Sequence, residues 1–114
     1  MKLELPLTPT LNALLRMHWR KRGRLKRDYA WDLRSQLPPN FGPLSFPRVQ
    51  VTRVACGVEP DGDNLAGGQK LVLDALTIAG VIEDDGPASI QLLPTKWARA
   101  NTAAEQKTII ALDE

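Results

Sequence analysis

Seven of the thirteen acidic residues fall between Glu59 and Asp85, where the chain reads EPDGDNLAGGQKLVLDALTIAGVIEDD. They are Glu59, Asp61, Asp63, Asp74, Glu83, Asp84 and Asp85, with Lys70 as the only base among them. A solvated surface seldom segregates charge so sharply in a chain whose net charge is +2. Hard divalent cations such as Mg²⁺ take oxygen ligands and keep several waters, so two or three carboxylates suffice when phosphate oxygens complete the shell. A cation so held polarises a phosphoryl group and acidifies a bound water. A lysine beside it stabilises the charge that develops in the transition state. Asp61, Asp63 and one of the closing acids are therefore candidate metal ligands, with Lys70 next to them. An acidic surface loop followed by an ordinary amphipathic helix is the plainer alternative. An EF-hand is excluded, because D-G-D-N-L lacks the ligand rhythm of that loop.

Local geometry sets conditions on such a site. Asp61 and Asp63 flank Gly62, and in extended backbone both side chains would point to one face. QKLVLDALTIAG has the apolar spacing of a helix. Leu65, Val72, Leu76 and Ala79 fall near one face, and Gly80 is a natural stop. Gly67 and Gly68 would each cost roughly 1 kcal/mol inside a helix, so a loop is expected over residues 66–68 and a helix start near Gln69. The seventeen residues from Asn64 to Gly80 would span roughly 25 Å if wholly helical. That is too far for both ends to hold one ion directly, so the closing acids must fold back beside Lys70 and the first turns.

DGDN followed by QKLVLDALTIAGVIEDD resembles the RusA family of Holliday junction resolvases of bacteria and their phages. That family carries D-x-D-N, a lysine before a D-A-L-x-x-A-G helix, and a closing D-D. The likeness covers about a quarter of the chain, and the P-x-x-N of Pro9, Thr10, Leu11 and Asn12 adds a weaker match. The resemblance implies a homodimeric, Mg²⁺-dependent endonuclease (Mn²⁺ substituting) that cuts branched DNA at four-way junctions, in recombination and repair. Carried over residue by residue, it implies Asp61, Asp63 and Asp85 as metal ligands, with Asp84 the neighbouring alternative, and Lys70 as a further catalytic residue. Shorter family patterns bring the lysine closer to D-x-D-N; here Ala66, Gly67 and Gly68 lengthen the connection. A junction-binding protein that does not cut, and a nuclease that prefers forks or flaps, are the rival readings.

The remaining elements must position that stretch. Residues 1–7 alternate Leu3, Leu5 and Leu7 with polar positions and read as a short strand, with Pro6 pointing to an edge. Residues 8–10 read as a turn, with Asn12 steadying it through its amide. A basic arm follows: seven of the fifteen bases lie between Arg16 and Arg27. With Asn12 and His18, the residues Arg16, Arg20, Lys21, Arg22, Arg24, Lys26 and Arg27 form the candidate DNA-binding surface, since arginine and lysine hold backbone phosphates without reading sequence. Trp19 or Tyr29 would stack on unpaired bases, although aromatics in such a helix belong more often to the core. His18 reads as a backbone or phosphate contact, because it has no partner histidine. Gly23 is expected to break the arm. A second helix then carries Leu25, Tyr29, Leu33 and Leu37 on one stripe, with Trp31 off it.

PPNFGPLSFP is a loop that cannot supply a central strand. Residues 48–58 alternate as a β-branched strand, with a bulge expected between Val51 and Val54 and Cys56 inside. Ile90 and Leu92 begin a third strand, interrupted at Pro94. Lys96 and Arg99 with Trp97 follow as a second candidate phosphate contact or an exposed strand end. Residues 100–106 read as a polar loop and 107–112 as the last strand. The expected fold is α/β (α+β): one domain over residues 1–114, order β-α-(α)-β-α-β-β, with a mixed sheet of about four strands and helices packed on it. A lone cysteine permits no intrachain disulfide. No apolar run reaches the roughly 20 residues of a membrane span, and no leader pattern opens the chain. The expected setting is the reducing cytoplasm of a bacterial or phage-infected cell, with no membrane partner.

Overall fold

The computed structural model describes residues 1–114 and is built around one strand, β2 (Arg48–Ala55). Its β-branched residues favour the pleated state, and it is paired on both sides. Against β5 (Lys107–Asp113) it runs antiparallel in unbroken register, from Arg48 opposite Asp113 to Val54 opposite Lys107. On its other side it pairs in parallel, first with β3 (Gln91–Leu92) and then with β4 (Lys96–Arg99). β1 (Lys2–Leu5) closes the far edge, antiparallel to β5. The sheet is thus mixed, as expected, but has five strands. The additional strand comes from Pro94, which has no N–H to give a ladder and divides the expected third strand in two.

The bulge expected inside β2 is absent from it. The irregularity lies in the neighbour, where residues 93–95 span the gap opposite Gln50 and Val51. Gln50 Nε2 fills the interruption by donating to the Pro94 carbonyl at 2.8 Å. Because β2 keeps its register, Val49, Val51, Arg53 and Ala55 share the inner face. Cys56 is exposed just beyond the strand rather than buried in the core. Arg53 takes the inward position that a shifted pattern would have given to Val54. Its guanidinium donates to the Thr8 carbonyl, and burial lowers its pKa while the neighbouring Tyr29 opposes that.

Parallel neighbours require a crossover, supplied here by α3 (Gly62–Gly67) and α4 (Gln69–Ile78). α2 (Trp19–Ser35) lies against α4. Leu33 of α2, Val72 and Leu76 of α4, Val49 of β2 and Ile110 of β5 are almost wholly buried and form the centre of the core. α2 runs unbroken through Gly23. The discontinuity falls earlier, between α1 (Leu11–Arg16) and α2, where Met17 and His18 are extended and His18 Nδ1 caps the helix by accepting from Arg20 N–H at 3.1 Å. A mid-helix glycine costs about 1 kcal/mol, and burying the Tyr29 and Leu33 side chains outweighs it at about 1.5–3 kcal/mol each. The stripe of Leu25, Tyr29, Leu33 and Leu37 meets the core as expected. No helix is long and apolar enough to cross a membrane.

α3 and α4 follow each other with no loop, contrary to the expectation for residues 66–68. Gly68 is itself in helical conformation. The glycines serve close approach: a Cβ on Gly67 would lie 2.8 Å from Leu11 Cβ, and one on Gly68 2.8 Å from the Pro9 carbonyl oxygen. Gly23 has ordinary helical backbone and nothing within 4 Å of the same position. The two glycines should respond oppositely to alanine in urea unfolding. Gly68→Ala should cost about 1–3 kcal/mol through overpacking, whereas Gly23→Ala should gain about 0.5–1 kcal/mol from helix propensity.

Candidate metal and nucleic-acid site

Asp61 and Asp63 reach the surface by a different route from the extended D-x-D expected. Asp61 is extended and caps α3, its Oδ1 accepting the Asn64 N–H at 2.8 Å. Asp63 lies inside the first turn, where a negative charge suits the helix dipole. The side chains of Asn64, Asp61 and Asp63 border one shallow hollow with Leu11 and Asn12. Both acids are exposed, and neither takes part in any of the five ion pairs of the chain. Asn64 Oδ1 also accepts the Asn12 N–H at 3.0 Å. P-x-x-N and D-x-D-N, which are 52 residues apart by that bond, are therefore one local structure.

The far end of the acidic stretch returns as required. α4 ends in a Schellman turn: Gly80 adopts φ +76°, its N–H donates to Thr77 O at 3.1 Å, and Val81 N–H donates to Leu76 O at 3.0 Å. Glycine takes this left-handed position without a Cβ penalty. Val81 and Ile82 are then buried, which brings Asp85 back to Lys70, whose Nζ donates to Asp85 Oδ2. Asp84 stays exposed and Asp85 is half-buried, so the partner of the lysine is Asp85. Lys70 also pairs with Asp74 at 3.1 Å, and Asp74 with Lys26 of α2 at 2.9 Å. The hydrogen bond from Lys70 holds the Asp85 carboxyl below its usual range. The bonds to Asp85 and then Asp74 raise the lysine. Asp74 was not singled out as a site residue in the sequence, yet it joins α2 to α4 through both lysines. Its place four residues after Lys70 was the available signal.

The structure does not bring Asp61, Asp63 and Asp85 together: no three His, Cys, Asp or Glu side chains form a set that could hold an ion. Donor chemistry nonetheless suits a hard cation at Asp61 and Asp63, which are carboxylates free of cationic partners beside one hollow. Asp85 is engaged by Lys70 and would have to exchange that partner to join them.

The basic arm divides into distinct groups. Arg20, Arg24 and Arg27 flank a hollow along one stripe of α2 with Trp19 and Gly23. Lys21 is exposed, Arg22 is half-buried, and Arg16 is exposed in the last turn of α1. His18 serves the backbone as a cap. Tyr29 is buried, and burial raises its pKa, so it is core. Trp19 is 65 % exposed, contrary to the expectation of a core aromatic, and Arg20 lies 5.1 Å from its ring centroid. Trp31, off the apolar stripe, is exposed as well. Near Lys96, the Arg99 guanidinium lies 5.7 Å from the Trp97 ring centroid.

The Lys70–Asp85 pair should leave a pH signature. The depressed Asp85 pKa gives stability that is complete above the ordinary carboxylate range and is lost as pH falls through the lower folded value. The raised Lys70 pKa gives stability present below the ordinary ammonium range and lost as pH rises through the higher folded value. Asp85→Asn should therefore cost up to about 1 kcal/mol near neutral pH, as an exposed pair does, and in urea unfolding the difference should shrink as pH falls below the ordinary carboxylate range and close once Asp85 is protonated in the folded chain. The chain matches no protein-family model and no curated protein.

Proposed function

We propose that this chain is a Mg²⁺-dependent, structure-specific endonuclease of the RusA kind, resolving four-way DNA junctions by paired symmetric nicks as a homodimer. The observation that carries the reading is the contact of Lys70 with Asp85. It brings the closing end of the acidic stretch back to the one base it contains, which supports a phosphoryl-transfer role for that stretch.

Mg²⁺, when bound, would supply Lewis-acid polarisation of the scissile phosphate. Asp61 and Asp63 would hold it, with Asp85 joining after release from Lys70. In the hydrolysis a water oxygen bonds to phosphorus, the bond from phosphorus to the 3′ oxygen breaks, and that oxygen takes a proton. Lys70 has three N–H donors. Asp74 and Asp85 take two of them in the structure; with Asp85 released to the cation, Asp74 keeps one and two are left for a non-bridging phosphate oxygen and the departing 3′ oxygen. Arg20, Arg24 and Arg27 hold backbone phosphates without selecting sequence. A two-fold dimer would match the near-symmetry of a four-way junction.

A second reading, a branched-DNA-binding protein that does not cut, is favoured by the separation of Asp85 from the other two acids. A synthetic four-way junction, with linear duplex, fork and flap of matched sequence, separates the readings in Mg²⁺, Mn²⁺ and EDTA. Paired cuts confined to the junction and dependent on the cation are expected. Asp63→Asn should reduce cutting at least about a hundredfold, beyond the usual effect of altering a supporting group, while junction affinity holds or rises. Cutting by that variant at the normal rate would remove Asp63 from the site. Arg20→Ala with Arg24→Ala should weaken binding and lower the salt slope by about 2. Tight junction binding with no cuts under either cation would leave the second reading.

A further inference from the structure

A second hollow lies between α1, α2 and α4, adjoining the acidic one: Leu11 borders both. It has about 410 Å³ of free volume, within the range of small-molecule sites. Its floor is leucine; on its rim Lys26 and Lys70 both pair with Asp74, Lys70 also pairs with Asp85, and Arg22 is the cation with no acidic partner. Two large apolar side chains on its border stay in water, Leu15 at 70 % and Trp19 at 65 % exposure. Such a surface suits a ligand with a flat apolar body and a negative charge at its edge.

Gly23 makes the same point independently. It lies one helical turn beyond Trp19 and therefore on the same face. Its backbone is ordinary helix, and no neighbour crowds it. Neither conformation nor packing accounts for a glycine there, although glycine is the costliest helix residue after proline. Gly23 borders both this hollow and the one lined by Arg20, Arg24 and Arg27, and Trp19 is the other residue common to them. A side chain at position 23 would cover the ground beside the indole. Glycine keeps it open, with cations on either side.

From this geometry we infer that the hollow beside Trp19 receives a single unpaired nucleobase of the bound DNA strand, stacked against the indole, with its phosphates held by Arg22 and Lys26. The inference rests on the DNA-binding part of the function proposed above and extends it. The aromatic surface would select unpaired over duplex nucleotides next to Asp61 and Asp63, and stacking of this kind tolerates any base. Tyr29, being core, has no part in it.

The test compares fluorescence anisotropy of a labelled oligothymidylate of eight nucleotides with that of an abasic sugar–phosphate oligomer of equal length and charge. The wild-type chain should bind the base-bearing strand about five-fold or more tighter. Trp19→Ala should abolish that preference and leave abasic binding unchanged, while Trp19→Phe should retain most of it. Gly23→Leu should also abolish the preference without lowering the thermal midpoint, which a merely unfolded variant could not do. Equal binding of the two strands by the wild-type chain, or a preference that survives Trp19→Ala, overturns the inference. Failure to bind either strand overturns it as well. The nuclease reading fails separately: a chain that prefers the base-bearing strand but never cuts a junction keeps the pocket and loses the enzyme. One that cuts junctions without the preference keeps the enzyme and loses the pocket.

Discussion

The close approach of Pro9 and Leu11 to Gly67 and Gly68 is the constraint on which the candidate site depends. Where a Cβ would meet those residues at 2.8 Å, only glycine lets the N-terminal strap lie on the junction of two helices. Seating the strap there sets α1 beside α3 and lets Asn12 donate to Asn64. It also gives Arg53, rising from the central strand, the Thr8 carbonyl as a partner. Beneath, Thr8 N–H donates to the Thr108 hydroxyl at 3.2 Å. The strap is thus fastened to both the sheet and the crossover, and the two hollows on either side of Leu11 follow from its path.

Charge is arranged around that scaffold in a chain of alternating sign: Lys26 to Asp74, Asp74 to Lys70, Lys70 to Asp85. Exposed ion pairs contribute at most about 1 kcal/mol each, so this chain adds little to a fold whose core already joins α2 and α4. Its larger effect is positional. It holds the lysine at the meeting point of helix and returning segment, between Asp74, which Lys26 of α2 also holds, and the turn that carries the closing acids. Asp61 and Asp63 are left outside it without cationic partners, the condition in which carboxylates attract an external cation.

Departures from expectation share a cause. Gly23 reads locally as a breaker and residues 66–68 as a loop because propensity assigns each glycine its cost alone. In the folded chain α2 is held through Gly23 by Tyr29 and Leu33 beneath it, and Gly67 and Gly68 are compensated by contact with the strap. Cys56 and Val54 were expected inside because the apolar pattern of β2 was assumed to shift. The uninterrupted ladder with β5 prevents a shift, so Arg53 points inward instead. Trp19 was expected in the core by residue type, but its position on α2 turns it away from the stripe that α4 covers.

The sequence by itself determined the α+β class, the placement of most strands, the apolar stripe of α2, the start of α4 at Gln69 and its stop at Gly80. Each of these rests on periodicity or backbone preference acting within a few residues. It also marked the acids and the lysine, and required that the closing acids turn back. Only the tertiary structure decided that Asp85 rather than Asp84 meets Lys70, that Asp74 ties two helices together, and that Asp61 caps a helix instead of extending a strand. It alone decided that Trp19 stands open beside Gly23. These are contacts between segments far apart in the chain, set by packing distances that no local pattern encodes.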